Sequence, residues 1–219
     1  MAAQRQFEQR LTALRSQGLP VDHDSMSAYH AQLTSEDTVA DWLEVLEILR
    51  GPEFAADSKG IPIVGNGSEA PFPENGEPWE DEAAVRNFLE KYRTLHDRVM
   101  RLCIDAEPVR FPIKWEGTAT LLPDTQTMRG AARLLSLRGQ LALYDRDAAA
   151  VRRSVDASIG CSVTLEGEPT MVSQFVAVAI DQIALATLKS GIEQDILRPD
   201  DLRYLIKRVL PRTKLRNHW

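Results

Sequence analysis

The chain has 219 residues, 43% of them hydrophobic and 26% charged, with a formal net charge of −6. That length can bury a real hydrophobic core in one unit. The acidic balance argues against a general nucleic-acid binder, which would carry a basic face. Two cysteines, Cys103 and Cys161, lie far apart in sequence and match no zinc or redox spacing, so they read as buried free thiols or, less simply, as one lone disulfide.

Frequent Ala, Leu and Arg with only short β-branched runs favour helices over sheets. The first predicted helix runs from Ala3 to Gln17, with Phe7, Leu11 and Leu14 at i, i+4 and i+7 and Gly18 as its stop. A short helical turn is expected over Ser25 to Gln32, then a helix from Ser35 to Arg50. Thr34 or Ser35 would cap that helix, Glu36 and Asp37 would meet its positive end, and Gly51-Pro52 would end it. Its apolar side is Val39, Trp42, Leu43, Leu46 and Leu49.

From Gly51 to Pro78 Gly and Pro alternate with acidic and small residues, and only Ile61 to Val64 has strand character. A long loop of this kind serves as a lid or partner-binding segment, or lies irregularly over helix ends. The next helix is predicted from Glu80 to Asp105, with Val85, Phe88, Leu89, Tyr92, Leu95, Val99 and Leu102 in one stripe. Glu107-Pro108 stops it, and Arg110 to Trp115 is extended around Pro112.

Four further helices are expected at 123–144, 147–164, 169–190 and 199–210. The third, PTMVSQFVAVAIDQIALATL, is apolar around most of its circumference and reads as a buried central helix. Ser173, Gln174, Asp181 and Gln182 interrupt it and weigh against a membrane span. The fourth should bury Leu202, Leu205, Ile206 and Val209.

The candidate sites are modest. Asp22, His23, Asp24 and His30 are metal-competent, and His23 with His30 could hold a divalent ion, but a solvated, helix-capping turn has the same composition. His96 with Asp97 falls on the polar margin of its helix and reads as solvent-facing. Gln174 and Asp181, seven residues apart, form with Ala177 and Ala184 a narrow polar and small stripe that lines a pocket or admits a neighbouring helix. Arg110 and Trp115 belong to an extended segment suited to docking a peptide or anion, or to plugging helix ends. Arg129, Arg133, Ser136 and Gln140 read as a solvated face, and the basic tail from Lys207 as a frayed terminus or a surface for anionic membrane or nucleic acid. No Ser/His/Asp, Cys/His or phosphate-loop signature appears, and no cofactor is implied.

Between Leu135 and Val163 the spacing is similar to one tetratricopeptide hairpin, with Gly139 and Ala142 at small positions and the turn following. Arg146 stands where that turn carries glycine, Val151 where the second helix is small, and no second copy follows near a period of 34 residues. A wider resemblance rests on LTALRSQGLPVD, RFPIKWEGTATLLPD, ARLLSLRGQLALYDRDAAAV and EGEPTMVSQFVAVAIDQIALATL. Together these resemble a family of uncharacterised helical proteins abundant in planctomycete bacteria. Its members often carry a membrane anchor before the first helix and more helices after the last. The resemblance thus implies a soluble portion or a short member, with a membrane nearby, and brings no activity or cofactor.

The sequence therefore predicts a single all-α domain of antiparallel, tetratricopeptide-like helical hairpins with a long loop at 51–78. The expected role is a non-catalytic interaction or scaffold module for a protein or peptide partner, with Arg110, Trp115, Gln174 and Asp181 in its groove. The alternative is a small-ligand binder, or a metal-dependent hydrolase using His23 and His30, with a pocket between helices.

Overall fold

A computed structural model describes residues 2–31, 36–67, 72–104, 106–116 and 119–216 of the chain, which hold ten α-helices and no strand. In chain order these are α1 (Ala2–Ser16), α2 (His23–Ala31), α3 (Glu36–Arg50), α4 (Pro52–Ser58), α5 (Glu82–Lys91), α6 (Arg93–Ile104), α7 (Pro123–Tyr144), α8 (Ala148–Val163), α9 (Met171–Glu193) and α10 (Pro199–Arg216). The fold is all-α, as the composition predicts.

Local chemistry sets most of the helix ends. Proline opens α7 and α10, where a missing N–H costs nothing. Asp147 caps α8 by accepting from the Ala150 N–H at 3.0 Å, and Thr170 caps α9 by accepting from the Ser173 N–H at 3.0 Å. Asp22 does the same for α2 through Ser25 at 2.8 Å. The caps proposed at Thr34 and Ser35 lie outside the described residues.

The centre of the molecule is formed by α7, α8 and α9, which all pack on one another, with α3 and α5 against α7, α6 against both α8 and α7, and α10 against α8. The α7–α8 hairpin turns through Asp145-Arg146-Asp147. Arg146 takes φ 55°, and the Asp145, Arg146 and Asp147 N–H groups donate to the carbonyls of Leu141, Leu143 and Ala142. Small residues let the helices close. A Cβ at Gly139 would sit 2.9 Å from Thr187 and 3.2 Å from Ser154, so α8 and α9 both press against α7 there. A Cβ at Gly160 would collide with the backbone of Cys103, which marks the closest approach of α6 and α8. Met128, Leu134, Leu135, Leu137 and Leu141 of α7 are essentially inaccessible, as are Trp42 and Leu46 of α3.

Several expectations need correction. The Gly51–Pro78 stretch is not one loop: Gly51-Pro52 ends α3 and at once starts α4, because proline at the first helical position suits a new helix. Ile61 to Val64 forms a turn, with Ile63 at φ 66°, in place of a strand. The helix expected over Glu80 to Asp105 breaks into α5 and α6 at Tyr92, whose backbone leaves helical geometry at φ −99°, ψ 19°. Tyr92 is held there by α4: its hydroxyl donates to Asp57 at 2.6 Å, Lys91 pairs with the same carboxylate, and its ring packs 4.9 Å from Phe54.

The largest departure concerns α9. It is not a buried central helix, since Met171 (72% exposed), Phe175 (65%) and Ile192 (51%) face outward while Ala177, Ile180 and Ala184 fill the core. Ile206 of α10, expected inside, is exposed, whereas Leu205 is buried. Ser136, read as solvated, is buried 3.3 Å from Thr187. Phe7 and Leu14 leave the apolar side of α1 largely open.

Candidate functional site

The residues nominated from sequence fall into structural roles. Arg110 Nε donates to the Gly167 carbonyl at 2.8 Å, and its guanidinium lies 5.3 Å from the Tyr29 ring centroid. Gln174 Nε2 donates to the Glu168 carbonyl at 2.9 Å. Both therefore tie down the tight 3-10 turn Thr164–Gly167 that joins α8 to α9. Glu168, buried just after it, accepts from the Phe111 N–H at 2.7 Å and faces His30 Nε2 at 3.3 Å. Trp115 packs edge-on to His30 at 5.6 Å, with its indole Nε1 buried and without a hydrogen-bond partner among the described residues.

Arg110, Trp115 and Gln174 thus converge around this turn, where they fasten α2 and the extended 106–116 segment to the core. Asp181 stands farther along α9, hydrogen-bonded to Ser162 of α8. Ala177 and Ala184 are buried, and their small side chains admit the neighbouring helices α7 and α8. His30 is engaged with Glu168 while His23 is exposed. Among the described residues no three His, Cys, Asp or Glu groups come together as a metal site. Cys103 and Cys161 are free and fully buried.

A different feature carries chemical character. Between α5–α6 on one wall and the α7–α8 hairpin on the other lies a half-open cleft of about 710 Å³. Its lining includes Arg86 and Glu90 of α5, Arg93, His96, Asp97 and Arg101 of α6, Arg138 of α7 and Arg153 and Ser154 of α8. Five arginines therefore face two carboxylates, in a chain whose overall charge is negative.

The hairpin positions two of these cations. Arg138 and Arg153 stand nearly equidistant in sequence from Arg146, so the turn brings them abreast. Arg86 clamps one end of the cleft: it binds both oxygens of Asp145 in the hairpin turn, at 2.5 and 3.1 Å, and Glu82 at 2.8 Å. The Cys103–Gly160 crossing pinches the other end, just beyond Arg101. Arg93 reaches Glu90 only at 3.6 Å. Among the described residues Arg101, Arg138 and Arg153 have no acidic partner.

His96, expected to face solvent, is instead the most enclosed titratable group of the cleft wall, with a side chain only 13% exposed. Its Nε2 is buried without a hydrogen-bond partner among the described residues and its Nδ1 lies 3.3 Å from Asp97. Burial holds the imidazole below its ordinary pKa, and the Arg138 cation reinforces that, while Asp97 opposes it. Ser154 lines the same cleft, but no hydrogen bond couples it to His96.

No protein-family model, curated protein or solved structure matches this chain. Function must be read from the side chains. What the cleft offers chemically is recognition of negative charge: guanidinium groups fork onto carboxylate or phosphate oxygens, and unpaired ones carry no competing partner to displace. The signal was present in sequence as Arg86, Glu90, Arg93, Asp97 and Arg101, which share the flank of one helical stripe.

Proposed function

We propose that this protein is a non-catalytic interaction module that holds an acidic, extended segment of a protein partner in the α5–α8 cleft. The observation supporting this reading is the set of three arginines, Arg101, Arg138 and Arg153, without acidic partners among the described residues, in a half-open groove of an otherwise acidic chain. The length of the cleft favours a chain over an ion. Arg86 to Arg101 spans about 20 Å at the helical rise, enough for roughly six extended residues at 3.3 Å each.

The test is fluorescence anisotropy with a labelled peptide carrying six consecutive glutamates, titrated with the whole chain at low and moderate salt. A double Arg138→Ala, Arg153→Ala variant should bind roughly tenfold more weakly, at about 0.7 kcal/mol for each exposed ionic contact. Substitution of both by Lys should restore much of the affinity. Affinity unchanged in the alanine variant, or no binding by the unaltered protein, refutes the reading.

A small anionic ligand is the second reading, favoured by the cleft volume of about 710 Å³, which lies within the range of small-molecule sites. Native mass spectrometry of protein purified without chelator separates the two, because a retained small mass supports the ligand and a bare polypeptide the peptide.

A further inference from the structure

α9 carries a second surface that neither the core nor the cleft uses. Along its outer side Met171, Phe175, Val178, Gln182, Leu185, Lys189 and Ile192 follow alternating steps of four and three. That is the a/d repeat of a coiled-coil seam, a narrower stripe than a helix needs to face its own core. The apolar members are open to solvent, with Phe175 at 65%, Val178 and Leu185 at 39% and Ile192 at 51% exposure. The inner face of the same helix is fully committed: Ala177, Ile180 and Ala184 are buried, and Asp181 is bonded to Ser162.

We propose that two copies of this chain pair through α9, antiparallel, about a two-fold axis at Gln182. The stripe itself selects a second copy as its occupant, because it is self-complementary about that residue. Gln182 stands at the midpoint of Met171–Glu193, so an antiparallel pairing centred there aligns the two helices along their full length. Three to four residues out, Val178 meets Leu185 of the other copy. Seven residues out, the Phe175 ring meets Lys189, a cation–π pairing, and the Lys189 charge then needs no burial beside its own kind. Ten to eleven residues out, Met171 meets Ile192. At the axis the two Gln182 amides face each other and can exchange hydrogen bonds, a polar device that fixes register within an apolar seam. A parallel pairing would stack Lys189 on Lys189 and lose each of these matches.

Sedimentation equilibrium on the whole chain should give twice the 24.5 kDa chain mass at micromolar concentration. A Val178→Glu, Leu185→Glu variant, changed only at exposed positions, should run as a monomer with unaltered helical circular dichroism. Orientation is read by mild oxidation. Gln182→Cys should give a covalent dimer on a non-reducing gel, whereas Glu193→Cys should not, because the antiparallel register places those two thiols about 33 Å apart at the helical rise. Cys103 and Cys161 are buried and stay silent in this assay. A monomer up to 100-fold higher concentration, or cross-linking through Glu193→Cys, overturns the proposal.

Discussion

Gly160→Ala and Gly130→Ala make the same chemical change in the two helices of the central hairpin, and the structure assigns them opposite signs. In a helix interior the added methyl gains about 1 kcal/mol of propensity. At Gly130 nothing lies within 4 Å of the new Cβ, so the gain should appear nearly whole, as about 0.5–1 kcal/mol of added stability and a midpoint roughly 2–3 °C higher. At Gly160 the new Cβ would lie 2.7 Å from the carbonyl carbon of Cys103, 3.1 Å from its Cα and closer still to its oxygen. All three are backbone atoms of α6, so no side chain can rotate away and α6 must move off α8. Such overpacking costs about 1–3 kcal/mol or more. Parting the two helices also strips contacts from Val99, Cys103, Ala157 and Cys161, all essentially inaccessible. A net loss of about 2–4 kcal/mol follows, which lowers the thermal midpoint by about 5–15 °C. Urea denaturation of both variants, with the m-value checked for constancy, measures the pair. If Gly160→Ala is as stable as the unaltered protein, the close crossing of α6 and α8 is wrong.

Two further outcomes follow from buried polar groups. Asp156 of α8, almost fully buried, accepts from the Tyr204 hydroxyl and from Arg208 Nε at 2.7 Å, and so holds α10 in place. Asp156→Ala should cost about 2–4 kcal/mol and Tyr204→Phe only about 1; equal effects in urea denaturation would refute the division of labour. His96 sets a pH dependence. Its folded pKa lies below the ordinary 6.5, so the unfolded chain takes up a proton first as pH falls. Its neutral form therefore supports full stability above about pH 6.5, and that support is lost progressively as pH drops towards the lower folded value. Removing the imidazole in His96→Gln should flatten the stability profile between pH 7 and 5, and identical profiles in the two proteins would contradict the burial argument.

What sequence made legible was local. Pro123, Asp147 and Pro199 mark helix starts through the chemistry of their own side chains and backbone, and the observed starts follow them, whereas the start expected at Pro169 falls two residues later, at Met171 behind the Thr170 cap. Gly51-Pro52 misled because the same dipeptide ends one helix and begins another, and nothing local says whether seven more residues will stay helical. Tyr92 misled because its periodicity is perfect; the break comes from Asp57 and Phe54, contacts formed across 35 and 38 residues of sequence. The all-round hydrophobicity of α9 was read as burial, yet an apolar outer face and an apolar inner face look alike in one dimension. The cleft failed for a related reason. Each arginine alone resembles an ordinary solvated charge, and only the α7–α8 turn brings Arg138 and Arg153 opposite the α5–α6 series.

The same turn explains why the cleft and the outer face of α9 do not compete. Arg138 and Arg153 line the cleft, while Gly139, the immediate neighbour of Arg138, lies against Thr187 of α9 and Ser154 of α8. The α7–α8 layer is therefore one helix thick at this point, with anion-binding side chains on one surface and the α9 packing seam on the other. Pairing through the far side of α9 leaves both clefts open to solvent and places them on opposite sides of the pair. A partner with one acidic segment then binds each copy independently. One with two such segments on a linker long enough to reach round the pair gains the effective concentration of the second site without any new contact.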